Sequence, residues 1–311
     1  MNGRVIAVVG PTAAGKTALS LDLALALDGE VVNADSMQLY RGMDIGTAKL
    51  RPAERRGVPH HVFDLWEVTE PASVAAYQRV ARAAIDDILA RGRTPLLVGG
   101  SGLYLRAVLE HFDFPGTDER VRAELEAELA AVGPAPLHHR LAELDPAAAA
   151  RILPGNGRRI VRALEVVRLT GAPFVAELPE PRPYYPTVHI GVDVDTETLD
   201  RRIGMRVDQM WARGLVDEVR QLERQGLREG RTAGRALGYH QVLEYLAGEC
   251  SEEQARAATI QATKRFVRRQ RSWFRRDDRI IWVRDGRESD TSQDQAGEDL
   301  ASVAVRAITA R

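Results

Sequence analysis

Apolar residues in this chain fall into two recurring patterns. Short unbroken runs at Val5-Ile6-Ala7-Val8-Val9, Thr94 to Val98 and Val188 to Asp193 have the length and branching of strands buried on both faces. Other stretches repeat their apolar positions at helical spacing. Ala18 to Leu27 carries leucines at 19, 23 and 27, and Ser73 to Arg91 carries Val74, Tyr77, Val80, Ala81, Ala84, Ile85 and Ile88. Gly29 to Asp35 predicts a further strand that delivers Asp35 at its carboxyl end, His61 to Leu65 another, and Arg279 to Val283 a late one. Strands alternating with helices predict an α/β fold, a parallel sheet flanked by helices.

The alternation breaks near Pro115. Asp118 to Val132 places Val121, Leu125, Leu129 and Val132 on one helical face, and shorter helical patterns follow at Leu137 to Leu144 and Gly157 to Leu169. With no strand-like run among them, residues 114–186 read as an all-helical insertion closed by the proline-rich stretch Pro179 to Pro186, inside a core of residues 1–113 and 187–311. Helices are then predicted at Asp195 to Arg213, at Val216 to Gln225 and from Ser251 onward, and polar Asp285 to Gly297 reads as a mobile connection.

Composition narrows the setting. A net charge of −1 over 311 residues gives no whole-chain argument for a polyanionic partner, so any such case must be local. The single cysteine, Cys250, excludes an internal disulfide framework, and no stretch approaches the roughly 18 apolar residues of a membrane span. The expectation is a cytoplasmic protein without a membrane partner. Local clustering does occur: Lys264 to Arg276 carries Lys264, Arg265, Arg268, Arg269, Arg271, Arg275 and Arg276 with no acid before Asp277, which reads as a polyanion footprint.

The chemistry begins at Gly10-Pro11-Thr12-Ala13-Ala14-Gly15-Lys16-Thr17, between the first strand and the first helix. In the pattern G-x-x-x-x-G-K-[ST], loop and helix N–H groups converge on phosphate, the lysine reaches a terminal phosphate, and the hydroxyl can hold Mg²⁺. Asp35 ends a strand at the edge where open α/β sheets bind ligands, and Ser36 to Lys49 lacks any period, as binding loops do. Gly99-Gly100-Ser101-Gly102 allows close backbone approach to a ligand. His60-His61 lacks a matching ligand cluster and reads as structural, and Asp193 at a strand end could imitate a Mg²⁺-orienting acid. A P-loop small-molecule kinase stays open on these residues, although it leaves the basic helix idle. A GTP switch needs Asn-Lys-x-Asp, and no asparagine here is followed by lysine.

Several blocks carry a resemblance that spans nearly the whole chain. They are the phosphate loop, Asn33 to Tyr40, Asp44 to Lys49, Gly99 to Tyr104, Arg159 to Glu165 and Gly238-Tyr239-His240-Gln241, and in these the chain resembles the bacterial tRNA dimethylallyltransferases. The resemblance implies transfer of a dimethylallyl group from dimethylallyl diphosphate to N6 of adenosine 37 in the tRNA anticodon stem-loop, with Mg²⁺ as cofactor and a monomeric enzyme. By position it implies that Asp35, Thr17 and Ser101 serve catalysis, and that Gly10 to Thr17 with Arg206 and Arg235 hold the diphosphate. It further assigns tRNA contact to Asp35, Ser36, Met37, Gln38, Ser101, Arg159, Ile160, Val161, Arg162, Ala163, Arg235, Tyr239, His240, Lys264, Arg268 and Arg269. Three positions depart from the family. Ser101 replaces the usual Thr, Gly155-Asn156-Gly157 replaces an Asn-Asp pair, and His240 stands where Arg or Lys is common, which makes that contact pH-dependent.

Overall fold

The computed structural model describes residues 3–111, 114–174, 180–284 and 299–310. The polar segment 285–297 lies outside them. The chain divides into two compact units, residues 1–111 with 183–311 and residues 112–182. In the first, β1 (Val5–Val9), β2 (Gly29–Asn33), β3 (His60–His61), β4 (Thr94–Gly99), β5 (Thr187–Val192) and β6 (Ile280–Val283) form one sheet. Their order is β3-β2-β4-β1-β5-β6, and every neighbouring pair is parallel. Helices α1 (Lys16–Ala26), α2 (Val74–Ala90) and α3 (Gly102–Leu109) precede the second unit, which holds α4 (Glu119–Val132), α5 (Pro134–Leu144), α6 (Pro146–Arg151) and α7 (Gly157–Thr170). After it come α8 (Thr196–Ala212), α9 (Leu215–Glu223), α10 (Tyr239–Leu246), α11 (Glu252–Phe274) and α12 (Leu300–Thr309).

Alternation along β1 sorts the two layers of core. Ile6 and Val8 pack with Leu19 and Leu23 of α1, Leu199 and Ile203 of α8, Val267 of α11 and Ile308 of α12. Val5, Ala7 and Val9 pack with Tyr77, Ala81, Ile85 and Ile88 of α2 and with Leu105 and Val108 of α3. Each fully buried aliphatic side chain contributes about 1.5–3 kcal/mol, so covering both faces is what holds an all-parallel sheet. β1 lies between β4 and β5, with Val9 opposite Gly99 and Gly191. The chain thus passes from one side of β1 to the other, and ligands bind outside the carboxyl ends of strands at such a switch point.

The structure shortens one expected strand. β3 is only His60–His61, because Val62 and Asp64 adopt positive φ (66° and 53°) and turn the chain out of the ladder. The two histidines bond locally, His60 Nδ1 with the Val58 carbonyl at 2.8 Å and His61 Nε2 with Glu30 Oε2 at 2.6 Å. Residues 36–49, which lack any period, are anything but a plain solvated connection. Tyr40 and Met43 are fully buried against Leu215, Val219 and Leu222 of α9 and Tyr239 and Val242 of α10, and Leu39 is fully buried in the core layer that holds Val9 and Tyr77. The second unit has its own core, built from Val121, Leu125, Leu137, Leu141, Ile160 and Leu164. Among the described residues no helix is long and apolar enough to cross a membrane.

Candidate active site

The loop after β1 is shaped by close approach. A Cβ on Gly10 (φ 142°) would stand 3.2 Å from the Val192 carbonyl, and Ala13 and Gly15 both take positive φ, at 66° and 98°. α1 then starts at Gly15 with no side-chain cap and no acid in its first turn. Its first N–H groups are therefore offered outward, where an anion would satisfy them. By contrast α2, α4, α8 and α11 begin on Ser73, Asp118, Asp195 and Ser251, each bonding back into its own helix.

Three charges meet beside this loop. Lys16 Nζ donates to the Pro11 carbonyl at 2.7 Å, and burial of its ammonium lowers its pKa to about 8. The Asp35 carboxylate opposes that shift, and Arg206 of α8 adds to it. Arg206 is itself held below the usual guanidinium range by burial, again with Asp35 opposing. Two half-buried cations beside one carboxylate leave a net positive site, and an anionic ligand would offset the cost of their partial desolvation. The charges acting on Lys16 do not include Arg235, which is exposed on the turn Ala233–Arg235. Thr17 is exposed at the start of α1.

Asp35 is held by its neighbours rather than by chance. Asn33 Oδ1 accepts from the Asp35 N–H at 2.8 Å, Asn33 Nδ2 donates to the Asp35 and Val62 carbonyls at 3.1 Å, and the buried Tyr77 hydroxyl donates to the Asn33 carbonyl at 2.8 Å. One Asp35 oxygen accepts from the Met37 N–H at 3.0 Å. Ser101 Oγ accepts from the Ser36 N–H and bonds Ser36 Oγ, both at 3.3 Å, which joins the loop after β4 to the loop after β2. Gln38 Nε2 donates to the Thr47 carbonyl at 3.0 Å. Asp35, Ser36, Met37, Gln38 and Ser101 are thus one connected group.

Glu218 holds that loop from outside. Its carboxylate accepts from the N–H groups of Asp44 (3.3 Å), Ile45 (2.7 Å) and Gly46 (3.2 Å) and from the Tyr239 hydroxyl (2.6 Å). Lys49, almost fully buried, donates to Asp44 Oδ1 and Asp64 Oδ1 at 2.6 Å each and to the Tyr40 carbonyl at 3.0 Å. On the other flank Gln270 of α11 accepts from the Thr12 N–H of the phosphate loop at 2.9 Å. Sequence reading missed Glu218 and Gln270, whose partners are backbone groups far away in sequence. Only Gly46 hinted at the first, since a Cβ there would fall 2.4 Å from the Tyr239 ring.

Some expected tRNA contacts point inward. Tyr239 is fully buried with its hydroxyl on Glu218, so it braces the loop and presents no face to a partner. Ile160, Val161 and Ala163 belong to the core of the second unit. Arg162 donates to the Pro115 and Gly116 carbonyls at 2.6 and 3.1 Å and to buried Glu165 at 2.7 Å, a bracing role rather than a free one. Arg159 and His240 are exposed, the latter 3.4 Å from Glu244. The basic helix is partly neutralised across space, Lys264 by Asp200 at 3.1 Å and Arg275 by Asp193 at 3.8 Å. Arg268 and Arg269 stay exposed, the second over the Phe266 ring. Asp193 is also taken by Arg284, so it is no free acid beside the phosphate loop.

A parallel sheet whose first strand runs through such a loop into an uncapped helix defines a protein of the P-loop class. The IPP transferase family model matches residues 38–277, and the chain belongs to that family. It is 70% identical over 308 residues to the tRNA dimethylallyltransferase of Salinispora arenicola, covering 99% of this chain and 87% of that protein. The full-length tRNA isopentenylpyrophosphate transferase of Bacillus halodurans is 42% identical with a TM-score of 0.67, over 91% of this chain and 90% of that one. A eukaryotic dimethylallyltransferase, solved acting on tRNA, is 26% identical with a TM-score of 0.82, over 99% of this chain and 79% of that one.

The lowered pKa of Lys16 has a measurable sign. Below pH about 8 the free protein holds this lysine charged, and an anion in the loop raises its pKa again. Between about pH 8 and pH 10, binding of an alkyl diphosphate, whose own oxygens ionise near 6, should take up close to one proton and weaken as pH rises. Calorimetric titration of dimethylallyl diphosphate in buffers of different ionisation enthalpy counts that proton. A count near zero across the window would remove Lys16 from the phosphate site.

Proposed function

We propose that the protein transfers a dimethylallyl group from dimethylallyl diphosphate to N6 of adenosine 37 in the anticodon loop of tRNA, releasing diphosphate. The observation that carries this reading is the meeting of Lys16, Arg206 and Asp35 at one point of the sheet edge. An adenine amine is a weak nucleophile because its lone pair is delocalised into the ring. As its nitrogen bonds the allylic carbon, the carbon–oxygen bond to diphosphate breaks, and Asp35 accepts the N–H proton. Lys16, Arg206 and those N–H groups of Gly10 to Thr17 that have no partner within the protein, which leaves out Thr12 on Gln270 and Ala14 on the Pro11 carbonyl, stabilise charge building on the departing oxygens. Arg235, exposed on its turn, reaches the same diphosphate in this reading.

The target base sits in an RNA loop and must leave its stack to reach Asp35. Ser36, Met37 and Gln38 line its place, and with Nε2 engaged by Thr47, Gln38 presents its Oε1. Ser101 keeps Ser36 in position through its hydroxyl. The Thr17 hydroxyl suits a Mg²⁺ ion held mostly by the diphosphate and water, since that ion takes oxygen donors and keeps several waters. Such an ion would neutralise leaving-group charge. Arg159, Arg268, Arg269 and His240 contact tRNA phosphates, with Lys264 available if its bond to Asp200 opens. Donor, acceptor and base are served from one chain, which supports a monomer, and the setting in this reading is the cytoplasm.

Incubation with unmodified tRNA and either labelled dimethylallyl diphosphate or labelled ATP separates this reading from the kinase. Label should stay on tRNA from the first donor alone. ATP hydrolysis stimulated by a small alcohol would favour the kinase instead.

The exposed arginines predict steep salt dependence. Each neutralised phosphate contributes about 0.7–0.9 to the slope of log K against log salt. Reversing Arg268 and Arg269 to glutamate should therefore flatten that slope by more than one. An unchanged slope would move the tRNA footprint off α11.

A further inference from the structure

We propose that Gln270 is a positioning residue that ties α11 to both sides of the reaction centre. It rests on the reading of the Gly10 to Thr17 loop as the diphosphate site. Gln270 is 6% exposed, and its amide makes two bonds to separate loops. Oε1 accepts the Thr12 N–H at 2.9 Å, and Nε2 donates to the Gly100 carbonyl at 2.9 Å, next to Ser101. The contact leaves no room for a side chain at position 100, where a Cβ would stand 2.4 Å from Gln270 Nε2 and 3.3 Å from the Gly10 carbonyl. One turn further along, the Trp273 indole lies over Gly102, a Cβ of which would fall 2.0 Å from Nε1. α11 thus grips the phosphate loop with one residue and the Ser101 loop with two.

An amide is the group that this place needs. Thr12 offers a donor and Gly100 an acceptor, both backbone, and only a side chain with one of each satisfies both. A buried glutamine that merely completed the core could bond any pair of groups. This one joins the loop proposed to hold the leaving group to the loop whose hydroxyl bonds Ser36, while Arg268 and Arg269 lie exposed on the same helix. The distance between diphosphate and base is therefore set through α11.

Two variants test this. Gln270→Met keeps the volume and loses both bonds, and an unpaired buried N–H should weaken equilibrium binding of dimethylallyl diphosphate by about tenfold and slow single-turnover transfer by at least as much. Affinity for tRNA should stay within about threefold, since the exposed arginines are untouched. Gln270→Glu should be most active when its carboxyl is protonated, because the protonated form alone can both accept from Thr12 and donate to Gly100. Burial raises such a carboxyl, so the transfer rate of this variant relative to wild type should climb as pH falls from about 8 to about 5.5. Binding and rate within twofold of wild type in the Met variant, or a ratio that is flat with pH in the Glu variant, would overturn the proposal. Parallel loss of tRNA and donor affinity would overturn it too, by making Gln270 a general packing residue. If the wild type itself fails to bind dimethylallyl diphosphate, the diphosphate reading falls and takes the proposal with it.

Discussion

The site depends on two cations that are partly withdrawn from water. Lys16 and Arg206 are both penalised by burial, and the only relief that reaches each of them among the acting charges is Asp35. A protein that keeps such an arrangement holds free energy in reserve for an anion. In the proposed reaction, the same carboxylate that steadies the cations before the ligand arrives is the acceptor for a proton once a diphosphate takes over that duty. Leaving-group stabilisation and proton acceptance are in this sense one electrostatic device.

Everything around it serves to keep three loops at fixed separation. Asn33 pins the backbone of Asp35 from both sides, Ser101 bridges to Ser36, and Glu218 gathers the three N–H groups of residues 44–46 onto α9. The Glu218 bonds are charge-assisted and about twice as strong as neutral ones, which suits a loop that carries no ladder of its own. The parallel sheet contributes the geometry, since it brings the ends of β1, β2, β4 and β5 to one edge, and the helices contribute the second layer of bonds. A loop of some 14 residues without period is thereby made as firm as an element.

Much of this was legible in the chain, and the limit has a physical cause. The P-loop and the strand that ends at Asp35 announce themselves because their chemistry and their local backbone are coded within a few residues, whereas Ser101 was singled out only by the family resemblance. Most strands and the longer helices were legible for the same reason; the exceptions are β3, where two residues at positive φ end a run that reads as extended, and the short helices α6, α10 and α12, which went unread. Glu218 and Gln270 were not legible, since each acts on backbone groups more than a hundred residues away and looks like any surface acid or amide. Arg162 and Tyr239 came as contacts from the family resemblance, and the bonds by which they brace their surroundings are made to groups that the sequence does not place beside them. The acid-free run from Lys264 to Arg276 likewise looked unneutralised, and Asp200 and Asp193 answer part of it only in three dimensions.

The central claim is that Asp35 takes the amine proton rather than merely shaping the pocket. Asp35→Asn keeps the outline and can still hydrogen-bond the base, but it accepts no proton. Single-turnover transfer measured beside equilibrium binding of tRNA and of dimethylallyl diphosphate separates the two roles. The account predicts a rate lower by about 10²–10⁴ while tRNA affinity moves by less than about tenfold. Donor affinity should also hold within about that range, since removing the carboxylate leaves Lys16 and Arg206 in place. Transfer at near the wild-type rate would contradict it.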